Sequence, residues 1–253
     1  MRKRWTEQLK GLLRPVIYRV FSRDKASFDC PICGYHGPFK DKRVSKKPDL
    51  VRLDSKCLGC GSAERHRIQY LVLREILKDW NSEAKSMLHI APEFCLQPIL
   101  KENFGTYHTA DLFAPNVDFK EDIQKMSFED GTYDAVMVSR VLTIPPDLKA
   151  SIREIRRVLK PGGIAIVAET YTHDNNVEYG EMREGRSRQI GLDTLGLLRS
   201  QFSQVEHFDS FRYDSKYQLI NKTTLDGKPM DDYPEVIRVP NNGFMDLVAV
   251  CRV

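Results

Sequence analysis

The sequence lacks a long uninterrupted apolar run. Nowhere in its 253 residues does an apolar stretch approach the ~20 residues that a membrane-spanning helix needs. The first 21 residues, MRKRWTEQLKGLLRPVIYRVF, contain no signal-peptide core, because Lys10, Arg14 and Arg19 interrupt the apolar positions, and no cleavage site follows. These absences predict a cytoplasmic protein.

The same N-terminal segment is basic and amphipathic. Its apolar residues recur at roughly helical spacing: Trp5, Leu9, Leu12, Leu13, Val16, Ile17 and Val20. We expect a helix within residues 1–25 that either packs on the protein itself or lies on the anionic inner surface of a membrane.

A strong overall excess of one charge is also missing, since the net charge is only +4. The charge is nevertheless unevenly distributed. Residues 1–67 hold 17 Lys and Arg against 7 Asp and Glu, a net +10, whereas the remaining residues hold 22 against 28, a net −6. A basic front attached to a mildly acidic body suits a polyanionic partner or an anionic membrane, and it equally suits a solvated basic face.

Cysteine is scarce, yet four of the six cysteines fall into two Cys-x-x-Cys pairs, CPICG at 30–34 and CLGCG at 57–61. This spacing lets each tight turn direct two sulfurs at one ion, and the following glycine admits a positive φ. Cys30, Cys33, Cys57 and Cys60 are therefore predicted to hold a structural Zn²⁺ in a zinc ribbon over residues 26–67. Disulfide and redox interpretations explain the paired motif less well. Cys95 and Cys251 are expected in the core.

The second cysteine pair is followed by GSAERHRIQYLVLREILKDW, which predicts an amphipathic helix with Ser62 as its N-cap. Arg65, His66 and Arg67 occupy the first turn, where the helix dipole disfavours cations. This placement indicates an anionic contact, or alternatively pairing with Glu64 or with the ribbon.

From residue 86 onward, apolar strand segments alternate with helical segments, which predicts a doubly wound α/β fold. Ligands of such sheets bind beyond the carboxyl ends of the strands. Asp111 ends the second strand, where a carboxylate can accept hydrogen bonds from both hydroxyl groups of a ribose. Asp122 follows a short third strand, FKEDI. The turn LHIAPEF at 88–94, after the first strand, contains no glycine.

Residues 86–170 resemble class I S-adenosylmethionine-dependent methyltransferases in the segments EDIQKMSFEDGTYDAVMVSRVL and LKASIREIRRVLKPGGIAIVAE. The runs CPICG, CLGCGSAERHR, LHIAPE and TADL resemble a bacterial subgroup that has a zinc ribbon and an HIAPE motif in place of the glycine-rich loop. The resemblance implies a Rossmann-like seven-stranded sheet over residues 68–253, with a lid at 173–190.

The cofactor implied by this resemblance is S-adenosylmethionine. Its amino acid end carries an ammonium group and no phosphate, so the turn can tolerate Ala91 and Pro92, and Glu93 can offer the ammonium a carboxylate. The predicted cofactor-binding residues are His89, Ala91, Glu93, Asp111, Leu112, Asp122, Ile123 and Ser139.

Catalytic groups are expected after the fourth and fifth strands. His173 is the candidate base, Arg140 the candidate clamp for an anionic acceptor, and Tyr171 a third candidate; Ser139 and Glu169 lie at the same strand ends. The polar segment 173–190 carries further possible clamps at Arg183, Arg186 and Arg188. Thr143 and Ile144 stand where many relatives have Glu-His.

The predicted function is methyl transfer to an oxygen or nitrogen atom of a small molecule or glycan. Two alternatives stay open. One is an RNA methyltransferase that grips phosphates with the basic ribbon, although the ribbon offers few aromatic residues for base stacking beyond Phe28, Tyr35 and Phe39. The other is a zinc-dependent binding module without catalysis.

Overall fold

A computed structural model describes residues 18, 20–44, 47–78, 80–225, 228–229, 238–239 and 243–253. Most of the predicted N-terminal helix, and with it the predicted membrane contact, lies outside these residues. Within the described part of the chain, no helix combines the length and apolar character needed to cross a bilayer.

The N-terminal unit is built on two hairpins. Strands β1 (Phe28–Asp29) and β2 (His36–Gly37) form the first, and β3 (Lys40–Val44) and β4 (Lys47–Lys56) form the second. Helix α1 (Glu64–Leu77) follows the second cysteine pair.

The cap of helix α1 differs from the prediction. Ala63 occupies the N-cap position, and its N–H donates to Nδ1 of His66 at 3.1 Å. The Ser62 hydroxyl instead lies against the sulfurs of Cys30 and Cys60, at 3.4 and 3.2 Å. The cysteine cluster thus engages the side chain that we expected to cap the helix.

The body is a six-stranded sheet in which four neighbouring strands are parallel and extend to one edge. These are β5 (Ser86–Ile90), β6 (Thr106–Ala110), β7 (Tyr133–Ser139) and β8 (Leu159–Glu169), with helix α2 (Gln97–Asn103) between β5 and β6, and helix α3 (Leu148–Arg157) between β7 and β8. Every residue of β7 is buried, as expected for a parallel strand covered on both faces.

The remaining elements complete this sheet and add a second one. A hairpin of β9 (Val177–Arg183) and β10 (Arg186–Gln189) precedes α4 (Thr194–Arg199) and β11 (Gln204–Phe208). Further along are β12 (Ile220–Leu225), β13 (Lys228–Pro229), β14 (Arg238–Val239), β15 (Gly243–Met245) and β16 (Leu247–Arg252), and short 3₁₀ turns lie at Ser82–Ala84, Ser210–Arg212 and Ser215–Tyr217.

The strand order of the central sheet is β11-β16-β8-β7-β5-β6, and β16 runs antiparallel to both of its neighbours. One core cluster packs α3 and α4 against one face, and another packs α1 and α2 against the other. This confirms the doubly wound prediction and the terminal antiparallel pair β11–β16.

The predicted third strand, FKEDI, is reduced to a single parallel bridge between Ala110 and Phe119. The N–H of Phe119 donates to the Thr109 carbonyl at 3.1 Å, but the chain then turns sharply at Asp122, whose carboxylate accepts from the N–H of Gln124 at 2.9 Å. Because this turn leaves the sheet edge so soon, six strands are paired in the described part of the central sheet.

The ribbon and the body share the second sheet, because β12 pairs with β4 in the order β14-β15-β12-β4-β3. Arg67 of α1 strengthens the junction. Its guanidinium donates to carbonyls of Ser55 and Ser62 on the ribbon side and of Tyr217 and Gln218 on the body side. The ribbon is therefore built into the body, and the sequence boundary at 67/68 falls within helix α1.

Candidate cofactor and acceptor site

The turn after β5 makes a left-handed backbone bend without glycine. Ala91 adopts φ +52°, and its N–H donates to the Ala110 carbonyl at 2.8 Å. A left-handed conformation costs an L-residue about 1–2 kcal/mol. Alanine, with the smallest side chain after glycine, therefore keeps the bend at the position where a nucleotide-binding turn usually uses glycine.

Behind this turn lie two residues predicted to bind the cofactor, His89 and Glu93. His89 is fully buried, and its Nδ1 is 2.9 Å from the Tyr107 hydroxyl. Burial lowers the pKa of His89 to about 4, so its ring is neutral at physiological pH.

Glu93 faces helix α1. Its Oε1 lies 3.0 Å from Nε of Arg65 and 2.9 Å from Nε2 of His66. Because Nδ1 of His66 accepts from a backbone N–H, the proton of a neutral His66 ring is on Nε2, the nitrogen nearer Glu93. Burial opposes ionisation of Glu93, but these partners outweigh it and lower the pKa of Glu93 to about 2. The cations in the first turn of α1 thus contact an anion within the chain, and Glu93 is absent from the walls of the cavities described next.

An apolar cavity of about 300 Å³ opens at the carboxyl edge of β5 and β6. It brings together five predicted cofactor residues: Ala91, Asp111, Leu112, Asp122 and Ile123. Its other walls are mainly apolar: Ile90, Phe113, Glu121, Gln124, Val141, Ile144, Pro145, Pro146 and Met182. Phe113 at 79% and Met182 at 55% exposure leave large apolar surface uncovered at the site, which suits a flat apolar ligand group.

The two aspartates of this cavity shape their own turns. Oδ1 of Asp111 accepts from the backbone N–H groups of Phe113 and Ala114, both at 2.7 Å. Asp122 is held by Gln124 through both the backbone and the side-chain amide. Each carboxylate is therefore fixed in place at the cavity wall.

A second cavity, of about 340 Å³, lies beside the first at the ends of β7 and β8, and Ile144 lines both. It is lined by Arg140, Thr143, Ile144, Glu169, Thr170, Thr172, Glu184, Gly185, Arg186, Gln189 and Ile190. It carries three threonines, two carboxyl groups and two guanidinium groups. We call these two spaces the apolar cavity and the polar cavity.

Arg140 lines the polar cavity, as its predicted clamp role requires. It directly follows β7 at φ +56°, and its Nη2 pairs with Oδ1 of Asp246 at 3.0 Å. The hydroxyl of Thr170 also donates to Oδ1 of Asp246, at 3.2 Å. A positive φ in a long side chain is uncommon and is found disproportionately at functional sites.

Glu169 ends β8 in the wall of the polar cavity. It is 2% exposed, and its Oε1 accepts from the N–H of Leu142 at 2.8 Å. Burial raises the pKa of Glu169 to about 7, against the lowering effects of backbone N–H groups and of Arg140.

Two of the predicted catalytic residues do not line the polar cavity. Tyr171 is fully buried in the core cluster on the α3 and α4 side. His173 contacts Gln189 through Nε2 and forms a bridge with Gly191. The chain continues from β8 in extended form, so the side chains of Thr170 and Thr172 reach the cavity while Tyr171 points into the core.

Residues 173–190, which we predict to be a lid, contain the β9–β10 hairpin. The polar cavity is lined on this side by Glu184, Gly185, Arg186 and Gln189. Arg188 is 1% exposed and donates to the carbonyls of Leu142 (3.0 Å), Pro145 (2.5 Å) and Pro146 (2.6 Å). It therefore holds the hairpin on the loop between the cavities and is not a free clamp. Arg183 is exposed beside Glu181, and of the three arginines only Arg186 lines the cavity.

Helix α1 contributes residues that sequence reasoning missed. Nε2 of Gln69 donates to Oγ of Ser139 at 2.9 Å, so Ser139 is engaged behind the cavities. A narrow crevice joins Arg65, Gln69, Arg140, Glu169 and Asp246. Gln69 and Asp246 interrupt apolar runs in the sequence, which is the signal that could have identified them.

The four predicted metal ligands converge. The sulfurs of Cys30, Cys33, Cys57 and Cys60 lie within 4.8 Å of one another, with separations of 3.6 Å for Cys30–Cys60 and for Cys33–Cys57. Each pair sits in the same kind of turn, and the glycine after each has a positive φ, +72° and +70°. A tetrahedral ion with bonds of about 2.3 Å to sulfur requires sulfur separations of roughly 3.8 Å. The cluster therefore fits a four-thiolate metal site.

A family comparison covers part of the body. Residues 99–167, which run from α2 through β8, match the Methyltransf_11 family, described as a methyltransferase domain. This range includes Asp111 and Asp122 and ends two residues before Glu169.

Curated relatives match over a similar extent. The chain is 41% identical over 115 residues to the sterol 24-C-methyltransferase erg6 of Aspergillus fumigatus, a match that covers 44% of this chain and 28% of that protein. It is 32% identical over 117 residues to the hybrid PKS-NRPS synthetase mpsA of Macrophomina phaseolina, covering 38% and 3%. The chain thus spans less than a third of the length of these relatives.

A solved structure has the same fold. One chain of the Haloferax volcanii complex between the Trm112 methyltransferase activator and a methyltransferase matches with a TM-score of 0.50 at 16% identity, covering 74% of this chain and 90% of that one. The match at residues 99–167 thus shows similarity to a methyltransferase domain, and the structural match shows a shared fold.

Proposed function

We propose that the protein transfers a methyl group from S-adenosylmethionine to an oxygen or nitrogen atom of a polar small molecule or glycan. The observation that carries the proposal is the pair of adjoining cavities at the carboxyl edge of the sheet, one apolar with two fixed carboxylates and one polar. Such an edge is where doubly wound folds bind their ligands.

The residues of the apolar cavity fit the adenosine end of this cofactor. Asp111 follows β6 at the position where a carboxylate can accept ribose hydroxyls, and its Oδ2 is not used by the turn that holds Oδ1. Leu112, Phe113 and Ile123 offer apolar surface to a base, and Asp122 can accept from an amino group. When bound, S-adenosylmethionine supplies an electrophilic methyl group on a positively charged sulfur.

Buried carboxylate oxygens near the strand ends fit the charged amino acid end. Within the described residues, Oε2 of Glu93, Oε2 of Glu169 and Oδ2 of Asp246 have no hydrogen-bond partner. Unpaired buried acceptors are costly, and a bound ammonium or sulfonium would offset that cost. Glu93, which the sequence assigns to the ammonium, lies outside the walls of both cavities, with its Oε1 held by Arg65 and His66, so that contact stays a prediction.

The polar cavity supports an oxygen or nitrogen acceptor. The sterol methyltransferases that the chain resembles over 115 residues are named for a carbon acceptor. Here, however, Thr143, Thr170, Thr172 and Gln189 supply hydrogen-bonding groups, and Arg140 adds a cation. Such a wall binds a hydroxylated molecule better than an apolar sterol.

The aromatic residues of the ribbon weigh against the RNA interpretation, because they pack against one another. Phe39 is fully buried, with the rings of Phe28 and Tyr35 packed at 5.4 and 6.2 Å from it. These residues form the small core of the ribbon. We therefore retain the small-molecule or glycan acceptor.

Calorimetric titration with S-adenosylhomocysteine tests the cofactor site. Asp111→Ala should weaken binding by about tenfold or more, because it removes a charge-assisted hydrogen bond to ribose and loosens the turn. Asp209→Ala is the matched control, since Asp209 also caps two backbone N–H groups, those of Phe211 and Arg212, but lies outside both cavities. No binding by the unaltered protein would leave the non-catalytic module as the better interpretation.

We further propose that Cys30, Cys33, Cys57 and Cys60 hold a structural Zn²⁺. The four-thiolate set closes the coordination sphere, so the metal would fix shape and activate no water. Its place in the chain supports this role, because Ser62 contacts two of the sulfurs and the next residue, Ala63, is the N-cap of helix α1.

Metal analysis of the purified protein tests the zinc site. We expect about one zinc per chain, lost in Cys33→Ser and kept in Cys251→Ala, whose sulfur is buried in the central sheet. Equal zinc content in both variants would contradict the assignment.

A further inference from the structure

Glu169 has one occupied and one unoccupied carboxylate oxygen. Oε1 accepts from the backbone of Leu142, which fixes the side chain, whereas Oε2 has no partner among the residues that the structure describes. The residue ends β8 and belongs to the wall of the polar cavity. A carboxylate held by one oxygen, with the other free, is placed to receive a proton.

The surroundings of Glu169 contain charges of both signs. Arg140 and Arg186 favour its ionised form, and burial opposes that form more strongly, so the pKa of Glu169 is raised to about 7. The titratable or charged groups around it, in the crevice and in the polar cavity, are Arg65, Arg140, Tyr171, Glu184, Arg186 and Asp246. Glu169 is accordingly ionised in a substantial fraction of molecules at neutral pH.

The polar cavity also indicates the kind of acceptor. Thr170 and Thr172 follow Glu169 along the chain, and Thr143 and Gln189 line the same cavity from the loop after β7 and from the hairpin. Hydroxyl and amide groups can donate to and accept from several hydroxyl groups at once. This arrangement matches a polyhydroxylated molecule such as a sugar.

We propose that Glu169 is the general base that removes the proton from a hydroxyl group of a polyhydroxylated acceptor. The acceptor oxygen forms a bond to the methyl carbon as the carbon–sulfur bond breaks. The electron pair of that bond stays on sulfur and neutralises its positive charge, and the hydroxyl proton passes to Oε2 of Glu169 and then to water. This step rests on the proposed methyltransferase function. It gives Glu169 the role of base, for which Thr143 and Ile144, after β7, have no titratable side chain.

A rate measurement tests the base. The probe is the small-molecule fraction of a cell extract incubated with methyl-labelled S-adenosylmethionine, and the readout is labelled product as a function of pH. In the unaltered protein the rate should rise with pH through a midpoint below about 7, since the base acts when deprotonated and the bound sulfonium favours its carboxylate form. Glu169→Gln should lower the rate by about 100-fold or more and remove this pH dependence, while S-adenosylhomocysteine binding changes less than about threefold. The control is Glu206→Gln, because Glu206 is an exposed residue of β11 that lies outside both cavities.

A second readout needs no acceptor. Infrared difference spectra between the unaltered protein and Glu169→Gln isolate the carboxylic acid band of Glu169, which should disappear around pH 7 with S-adenosylhomocysteine bound. With positively charged S-adenosylmethionine the midpoint should lie lower, because an adjacent cation favours the carboxylate. Equal midpoints with the two ligands, or a rate in Glu169→Gln within threefold of the unaltered rate, would overturn the proposal. Failure of the unaltered protein to bind S-adenosylhomocysteine would instead overturn the methyltransferase function itself.

Discussion

Replacement of Arg67 by methionine should destabilise the whole protein, because this one buried side chain joins the ribbon to the body. Its guanidinium makes four hydrogen bonds to carbonyls at 2.6–3.0 Å and stacks 4.4 Å above the ring of Phe39. Hydrogen bonds from a charged donor contribute about 1.5–3 kcal/mol each. Relief of the several kcal/mol that desolvation of the guanidinium costs offsets part of that sum, so we expect a net loss of about 3–5 kcal/mol.

Urea unfolding followed by circular dichroism measures this loss, with zinc kept in the buffer. With an m-value near 3 kcal/mol/M, the midpoint should fall by about 1–2 M. Arg212→Met is the matched control, because Arg212 also stacks 4.4 Å above a phenylalanine, Phe208, and also pairs with other residues, but its side chain is 45% exposed. Exposed ion pairs contribute at most about 1 kcal/mol.

The difference in stability loss between Arg67→Met and Arg212→Met tests whether Arg67 joins the ribbon to the body. If Arg67→Met costs no more than Arg212→Met, the ribbon and body are not joined through this side chain. Arg67→Lys should recover only part of the stability, because an ammonium group cannot satisfy four carbonyls arranged around a planar fork.

Two further predictions concern the cofactor turn and the hairpin. The folded-state pKa of His89 is about 4, below its ordinary value of about 6.5, so the unfolded chain binds more protons between these two pH values. Stability is therefore lost as the pH falls through that window. In urea titrations the unaltered protein should lose about 2 kcal/mol more stability than His89→Gln between pH 7 and pH 5. Arg188→Met should release the hairpin from the loop between the cavities and weaken S-adenosylhomocysteine binding by about tenfold in calorimetry, whereas Arg183→Met, on the same hairpin but exposed, should leave the affinity unchanged. Equal pH dependence of the two proteins in the first case, or equal affinities of the two variants in the second, would contradict these assignments.

Hydrophobic periodicity and strand order could be read from the sequence, and the structure confirms the doubly wound sheet and the β11–β16 pair. The number of strands could not be read in the same way. FKEDI has the composition of a strand, but the Asp118 carboxylate accepts from the N–H of Thr109 on β6, and Asp122 forms a turn with Gln124 after one bridge with β6. Local competition between side-chain and backbone hydrogen bonds decides such cases, and periodicity does not report it.

The candidate site likewise has residues that the sequence located and residues whose contacts only the structure shows. Five of the eight predicted cofactor residues line one cavity, since strand ends and their order locate them. His89, Glu93 and Ser139 lie behind it, bonded to Tyr107, to Arg65 and His66, and to Gln69. Their partners come from elements far away in the chain, so no local pattern could reveal that they were already engaged.

The sequence by itself determined which chemistry is present: four cysteines at metal-binding spacing, a turn without glycine, and carboxylates at strand ends. Each follows from local spacing, which a short stretch of chain fixes on its own. Only the tertiary structure decided that β4 and β12 share a sheet, that Arg188 is a structural residue, and that Glu169 is buried with one oxygen free. Burial and partner choice depend on distant segments meeting in space, and these two factors set whether a carboxyl group is a counter-ion, a cap or a base.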